Sequence, residues 1–348
     1  MGDKHRVHFD PVDLDMEVDE DETVLDAAFR QGIALMHGCR EGQCSACKSF
    51  LIDGDVQLDR YSTFALADYE SEEGYILLCK AHVYSDAQIE LINYDEEILR
   101  SAVPIQHLRA RVSALDPLTH DIVSLRLTLI APTTFDFRAG QYADITIPGT
   151  GHHRSFSMAT TASSPGELEF IIKRYPGGHF SGLLDGGLAV GDELEVTGPY
   201  GSFTLREKSD RRIVCIGGGA GMAPILSLLR HLAETESRRP VTFYYGARNA
   251  SDLFYLSEIS ALAAVLEDFA FVPCLSETWP EEWSQIGYEG QSGLVTDVVD
   301  GRETDLSDSD LYLCGPPPMV DSAIALLAGR GVPADRIYYD KFTTSVAE

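Results

Sequence analysis

The sequence is poor in positive charge. Of its 348 residues only 27 are Lys or Arg against 55 Asp or Glu, a formal net charge of −28. Such a chain is a poor partner for nucleic acid, whose binding begins with a basic patch. Long apolar runs are missing as well. No stretch approaches the roughly 18 to 20 uncharged apolar residues of a spanning helix, so no membrane partner is expected. The opening residues, MGDKHRVHFDPVDLDMEV, are acidic where a secretory signal is basic and then apolar, which predicts a cytoplasmic protein. Internal repeats and low-complexity runs are also lacking. What is present is the composition of a folded chain, 44% hydrophobic and 24% charged. At roughly 150 residues per domain, the length predicts two or three domains.

The acidic excess is uneven: 23 acidic and 8 basic residues lie within the first 100, which puts more than half of the net charge in under a third of the chain. A negative field of this kind speeds docking to a basic surface, although acidic excess by itself also serves solubility. Three regions differ in pattern. Residues 1–98 open with alternating apolar positions (Val7, Phe9, then Leu14, Met16, Val18). A helix capped near Thr23 and ended by Gly32 follows, then a Gly- and Cys-rich loop, then a strand and tight turn over residues 50–56. Residues 103–207 carry short strand-like runs at 122–129, 142–147 and 168–172, punctuated by Pro and Gly, the pattern of an antiparallel barrel. Residues 208–348 alternate apolar strands (213–216, 241–245, 311–314) with helical patterns (225–232, 322–327), which implies a parallel sheet. The joints are expected near residues 100–104 and 207–210.

Four of the seven cysteines are spaced Cys39-x4-Cys44-x2-Cys47, with Cys79 after a further 31 residues, the plant-type spacing for a [2Fe-2S] cluster. Small neighbours, Gly38, Gly42, Ser45 and Ala46, let the loop wrap closely and aim amide N–H groups at the cluster. Structural zinc favours two Cys-x2-Cys knuckles, and only one is present. A disulfide framework is out of place in a large cytoplasmic chain, and a thioredoxin-like pair needs neither Cys39 nor Cys79. Cys215, Cys274 and Cys314 sit in apolar strand contexts and read as packing residues.

In the middle region, Arg154-Ser155-Phe156-Ser157 follows a Gly140-Gln-Tyr142 strand. An Arg at a strand end pairs a phosphate, a Phe covers an aromatic ring and a Ser bonds to it. Ile171-Ile-Lys173-Arg leads to Gly177-Gly178-His-Phe-Ser181, where the glycines leave amides bare for an anion. Further on, a strand runs into Gly217-Gly-Gly219-Ala-Gly221-Met-Ala-Pro224 and an apolar helix, the context a dinucleotide turn demands. Pro224 replaces a small residue of the usual fingerprint, in a place where the first helical turn accepts proline. A strand ending at Arg248 is expected beside the ribose. Arg248 is able to pair a 2′-phosphate, yet Asp252, four residues on, repels one and can accept from ribose hydroxyls, which favours NADH. Cys314-Gly315-Pro316 ends a third strand in a rigid turn that points Cys314 at the nicotinamide. His152 and His153 read as loop residues.

In this order and over nearly the full length, these motifs resemble the ferredoxin-NADP reductase superfamily. More narrowly, the chain resembles the reductase components of bacterial multicomponent monooxygenases with diiron hydroxylases, those acting on methane, propane or toluene. The resemblance implies a β-grasp α+β ferredoxin domain, a six-stranded antiparallel FAD barrel and a Rossmann-like α/β NAD domain. It implies Arg154 on the FAD pyrophosphate, Phe156 stacked on the flavin and Ser157 at flavin N5. Gly177, Gly178 and Ser181 would meet the FAD phosphates, and Gly219, Gly221 and Pro224 the nicotinamide nucleotide. Phe342 corresponds loosely to the family's C-terminal aromatic. The expected function is an NADH-dependent flavin iron–sulfur oxidoreductase that feeds single electrons to a hydroxylase docked on the acidic ferredoxin domain. Two other readings stay open: the reductase of a Rieske aromatic-ring dioxygenase, and a non-enzymatic iron–sulfur sensor that binds nucleotide.

Overall fold

The structure, a computed structural model, describes residues 2–95, 99, 103–164, 166–278 and 287–342. The expected joint at residues 100–104 lies partly outside them, as do all residues after Phe342. The chain divides into two compact units. One holds the residues up to Ile105 with the short segment Pro199–Ser202, and the other holds Gln106–Gly198 with Phe203–Phe342.

In the first unit, the alternation at the N-terminus becomes a hairpin of β1 (Lys4–Asp10) and β2 (Leu14–Asp19). Period-2 spacing turns Val7, Phe9, Met16 and Val18 to one face, and all four are buried. Helix α1 (Val24–Arg30) starts where Thr23 accepts the Asp26 N–H at 3.1 Å, a cap worth about 1 kcal/mol. It lays Val24, Leu25, Ala27 and Ala28 into the core. After β3 (Lys48–Asp53) come β4 (Val56–Leu58), α2 (Asp68–Glu73), β5 (Tyr75–Leu77), β6 (Ala81–Val83) and β7 (Ala87–Glu90). The five-stranded sheet has the order β2-β1-β7-β3-β5, with β1 and β7 parallel. The turn after β3 joins two different sheets, because β4 pairs with β6. Residues 33–47 form neither helix nor strand, and this loop carries three of the four spaced cysteines.

The second unit contains two sheets. The first has β8 (Gln106–Pro117), β9 (Ile122–Ala131), β10 (Tyr142–Thr146), β11 (His153–Ser157), β12 (Glu167–Lys173) and β13 (Glu193–Tyr200) in the order β11-β10-β13-β8-β9-β12. A Met158–Phe170 bridge links its two end strands, which makes the sheet barrel-like. A short helix, α3 (His179–Gly182), follows the Gly177-Gly178 turn. The second sheet has β14 (Arg212–Gly218), β15 (Val241–Ala247), β16 (Phe269–Leu275), β17 (Gln291–Ser292), β18 (Ser309–Gly315) and β19 (Ile337–Lys341), all paired in parallel in the order β17-β16-β15-β14-β18-β19. Its helices are α4 (Met222–Glu234), α5 (Leu256–Ala263), α6 (Val295–Arg302) and α7 (Pro317–Gly329).

Every residue of β18 is buried, and so is all of β14 past Arg212, as expected of strands covered on both faces. One face packs into a core that also takes Ile122, Ala139, Ile171 and Phe203 from the barrel side. That shared core is why barrel and parallel sheet form one unit. The strand order reverses between β14 and β18, and ligands of open α/β sheets bind in the crevice at the carboxyl ends of such strands.

Candidate functional site

The cysteine loop is held in an unusual backbone shape. Arg40 and Ser45 have φ of 58° and 62°, left-handed values that side chains rarely adopt, and Gly42 has φ 68°. A Cβ at Gly42 would stand 2.9 Å from that of Tyr61. The conformation aims amides inward: Glu41 and Gln43 donate to Cys39 Sγ at 3.4 and 3.3 Å, and Cys39 donates to Cys44 Sγ at 3.3 Å. The Cys44 thiol and these amides push the Cys39 thiol down to about 6. Cys44 is pushed up, first by its side-chain hydrogen bond with Cys39, then by burial and by the Cys39 charge. Cys79 is also pushed up, first by its hydrogen bond with Cys47, then by burial and by the charges of Cys47 and Cys39. Cys39 thus interacts with Cys44 and Cys47 with Cys79, three of the four from one loop and the fourth just past β5. A soft four-thiol set in a strained amide-lined loop fits a [2Fe-2S] cluster. Among the described residues, these cysteines included, no group of three or more His, Cys, Asp or Glu is already closed around a single metal-ion position.

Two supports of the loop were not legible in the sequence. His37 is buried; its Nε2 accepts the Gly201 N–H at 2.7 Å and its Nδ1 donates to the Leu35 carbonyl at 2.7 Å. Burial pushes this imidazole down to about 4, so it is neutral. On the other side, Ser45 Oγ donates to the Ala65 carbonyl at 2.9 Å and the Ser62 N–H donates to the Gly42 carbonyl at 3.0 Å. Between these anchors the Phe64 ring is 97% exposed.

On the barrel, Phe156 reaches Phe180 of α3, ring centres 4.6 Å apart, so the Arg154–Ser157 strand and the Gly-Gly turn are brought together. Ser155 Oγ donates to Asp144 at 2.7 Å, and Arg154 Nη1 donates to the His153 carbonyl at 2.7 Å. Ser181 Oγ accepts the Tyr175 N–H at 2.8 Å and so closes the turn that has Gly177 at φ 76°. Ile171 is a core residue, and Lys173 pairs with Asp121 at 3.2 Å. His152 lies in a loop. His153 departs from the loop expectation: it opens β11, with Nε2 3.5 Å from Asp144.

In the parallel sheet, Gly217 and Gly218 end β14, and a short turn over Gly219–Gly221 leads into α4, with Pro224 in its first turn. A Cβ on Gly221 would lie 2.2 Å from the Cys314 carbonyl oxygen, so the turn touches the end of β18 only because that side chain is absent. The Tyr245 hydroxyl donates to the Gly219 carbonyl at 3.0 Å. Past β15, Arg248 Nε stands 3.8 Å from Asp252, and His120 Nδ1 is 3.5 Å from the same carboxylate. Gly315 accepts the Phe342 N–H at 3.0 Å, and Pro316 caps α7.

Cys314 is fully buried, and burial, then the Asp340 charge, pushes its thiol up. Asp340 faces Cys314 in the β18–β19 register and accepts from Ser157 Oγ at 3.4 Å. Ser157 and Cys314, singled out in separate motifs, thus meet at a carboxylate that no motif signalled. The only sequence cue is one acid within the aromatic run Tyr338-Tyr-Asp340.

A thiol loop, a barrel with a Gly-Gly turn and a parallel sheet with a dinucleotide crevice define the class: a nicotinamide-dependent flavin iron–sulfur oxidoreductase. Family models match in the same order: a 2Fe-2S iron-sulfur cluster binding domain over residues 7–84, an oxidoreductase FAD-binding domain over 109–205 and an oxidoreductase NAD-binding domain over 215–324. The chain is 58% identical to the reductase component of propane 2-monooxygenase from Mycolicibacterium smegmatis, over 99% of each chain. It is also 58% identical to that from Rhodococcus jostii, over 100% of this chain and 94% of the relative. The crystal structure of the Amycolatopsis cytochrome P450 reductase GcoB superposes with a TM-score of 0.85 at 31% identity, over 98% of this chain and 100% of that one. The chain belongs to the family of reductase components of bacterial multicomponent monooxygenases. It carries FAD, a [2Fe-2S] cluster and NADH as its cofactors, and as such a component it serves a hydroxylase. No helix among the described residues is long and apolar enough to cross a membrane.

Proposed function

We propose that the chain passes electrons from NADH to the diiron hydroxylase of a short-alkane monooxygenase of the propane type, docking through its ferredoxin region. The observation that carries the reading is the 58% identity, end to end, with propane 2-monooxygenase reductase components. Three working domains are proposed, at 1–98, 103–207 and 208–348.

Each group of residues then has a task. Cys39, Cys44, Cys47 and Cys79 ligate the cluster, and the amides of Glu41 and Gln43 stabilise charge on the sulfurs. Arg154 meets the FAD pyrophosphate, Phe156 covers the ring and Ser155 fixes Asp144 beneath the strand. Ser157 bonds the ring edge while Asp340 orients its hydroxyl. Gly177, Gly178 and Ser181 shape the FAD phosphate turn, with Ile171 and Lys173 beneath it. Gly217, Gly219, Gly221 and Pro224 cradle the nicotinamide nucleotide, and Cys314, Gly315, Pro316 and Phe342 bound its ring. Asp252, which already engages Arg248 and His120, leaves that arginine poorly placed for a 2′-phosphate and so favours NADH. When bound, the flavin converts a two-electron hydride donor into one-electron steps, which the cluster relays.

For docking, a nearly bare Phe64 beside the cluster loop, set in an acidic region, has the make-up of an aromatic anchor with a charged rim. Phe64→Ala should raise the KM for the diiron hydroxylase about tenfold, the loss of an anchor worth ~1.4 kcal/mol, and leave NADH reduction of the flavin unchanged. An unchanged KM removes Phe64 from the docking surface. Turnover with a Rieske dioxygenase and none with a diiron hydroxylase overturns the assignment of the partner.

A further inference from the structure

A dense polar cluster joins barrel and parallel sheet outside the three cofactor regions. Glu169, on β12, is buried. Its Oε1 accepts from the Tyr255 hydroxyl at 2.5 Å and from Ser124 Oγ at 3.0 Å, and its Oε2 accepts from Arg230 Nη1 at 2.8 Å. Burial would raise this carboxyl, but the Tyr255, Arg230 and Ser124 bonds outweigh it and hold Glu169 below the usual range, charged. Ser124 comes from barrel strand β9 and Arg230 from α4. Tyr255 immediately precedes α5, in a left-handed backbone at φ 55°.

The cluster continues along one face of α4. Ser227, Arg230 and Glu234 are three and four residues apart, so they line up on one side of the helix. Ser227 Oγ donates to the Thr160 carbonyl at 2.6 Å and accepts the Gly140 N–H at 3.3 Å. Arg230 Nη1 also donates to the Ala159 carbonyl at 2.8 Å. Glu234 accepts from Thr161 Oγ1 at 2.6 Å. Residues 159–161 continue directly from Ser157, at the end of the flavin strand, and α4 grows directly out of the Gly219–Gly221 turn. One helix therefore grips the flavin strand with its side and carries the nucleotide turn at its start.

We infer that Glu169 and Arg230 are positioning residues for hydride transfer, locking α4 to the flavin strand so that the nicotinamide turn meets the flavin at a fixed distance and angle. The hydrophobic effect in the shared core is non-directional, whereas charge-assisted hydrogen bonds fix register. Attachment through both α4 and Tyr255 also blocks rotation about the helix. The inference rests on the cofactor assignments above.

Anaerobic rapid mixing with NADH tests it. In Glu169→Gln the amide oxygen still faces Arg230 while its NH2 faces the Tyr255 and Ser124 hydroxyls, so the charge of the Arg230 pair is lost, and the limiting rate of flavin reduction should fall about tenfold or more while the Kd for NADH stays within about twofold. The long-wavelength charge-transfer absorbance expected when NAD⁺ is added to the reduced protein should be weaker than in the unaltered protein, with FAD and iron content unchanged. Arg230→Lys should recover most of the rate lost in Arg230→Met. A limiting rate and charge-transfer band equal to those of the unaltered protein overturn the inference, even where Tm has dropped, because the cluster is then only packing. If Glu169→Gln does not retain FAD, Tyr255→Phe, which deletes one hydroxyl, decides by the same two readouts. Failure of the unaltered protein to be reduced by NADH would instead overturn the cofactor assignments.

Discussion

At the scale of single residues, the chain separates side chains that hold a redox group from side chains that only shape its surroundings. Cys44, a proposed iron ligand, sits in the first unit, whereas Ser157, Cys314 and Asp340 gather in the second. Cys44→Ser should therefore abolish the cluster's visible absorbance while NADH still bleaches the flavin. Loss of both signals in the spectrum of that variant would contradict separate tasks. The cysteines were legible because cluster ligation imposes a spacing on neighbours in the chain. Asp340 and Glu169 were not, since a lone acid looks the same in sequence whether solvated or buried among donors.

At the scale of elements, periodicity located the strands well and their ends less well. The run at 213–216 grows to Arg212–Gly218 and the helical pattern at 225–232 to Met222–Glu234. Tertiary burial extends both beyond their apolar centres. The Gly-rich turn was recognised by its place between a strand and an apolar helix, but the contact it makes was not. Gly221 has the Cys314 carbonyl oxygen where a side chain would go. Gly221→Val should push the turn away from β18 and raise the KM for NADH by about tenfold or more, ~1.4 kcal/mol of binding, with FAD and iron retained. A steady-state titration of NADH checks it; an unchanged KM would show that the turn and strand need not touch.

At the scale of the whole molecule, charge is the dominant feature. With more than half of the net −28 in the first 100 residues, the ferredoxin region attracts a basic surface at long range. Steering of this kind is screened, because the Debye length is about 10 Å at 0.1 M salt. Hydroxylase-coupled turnover at limiting reductase should fall steadily as salt is raised, while NADH reduction of the flavin, measured by rapid mixing, changes little. Equal insensitivity of both would assign the acidic excess to solubility.

By itself, the sequence determined the chemistry and the order of the parts. Cysteine spacing, a Gly-rich turn between strand and helix, and the change from strand-like runs to strand–helix alternation are local constraints, written into neighbouring residues. Only the tertiary structure decided the meetings. Ser157 reaches an acid 183 residues further on, and Glu169 takes its donors from both the barrel and the parallel sheet. Such contacts follow from strand register and from a core that two sheets share, neither of which leaves a mark on adjacent positions in the chain.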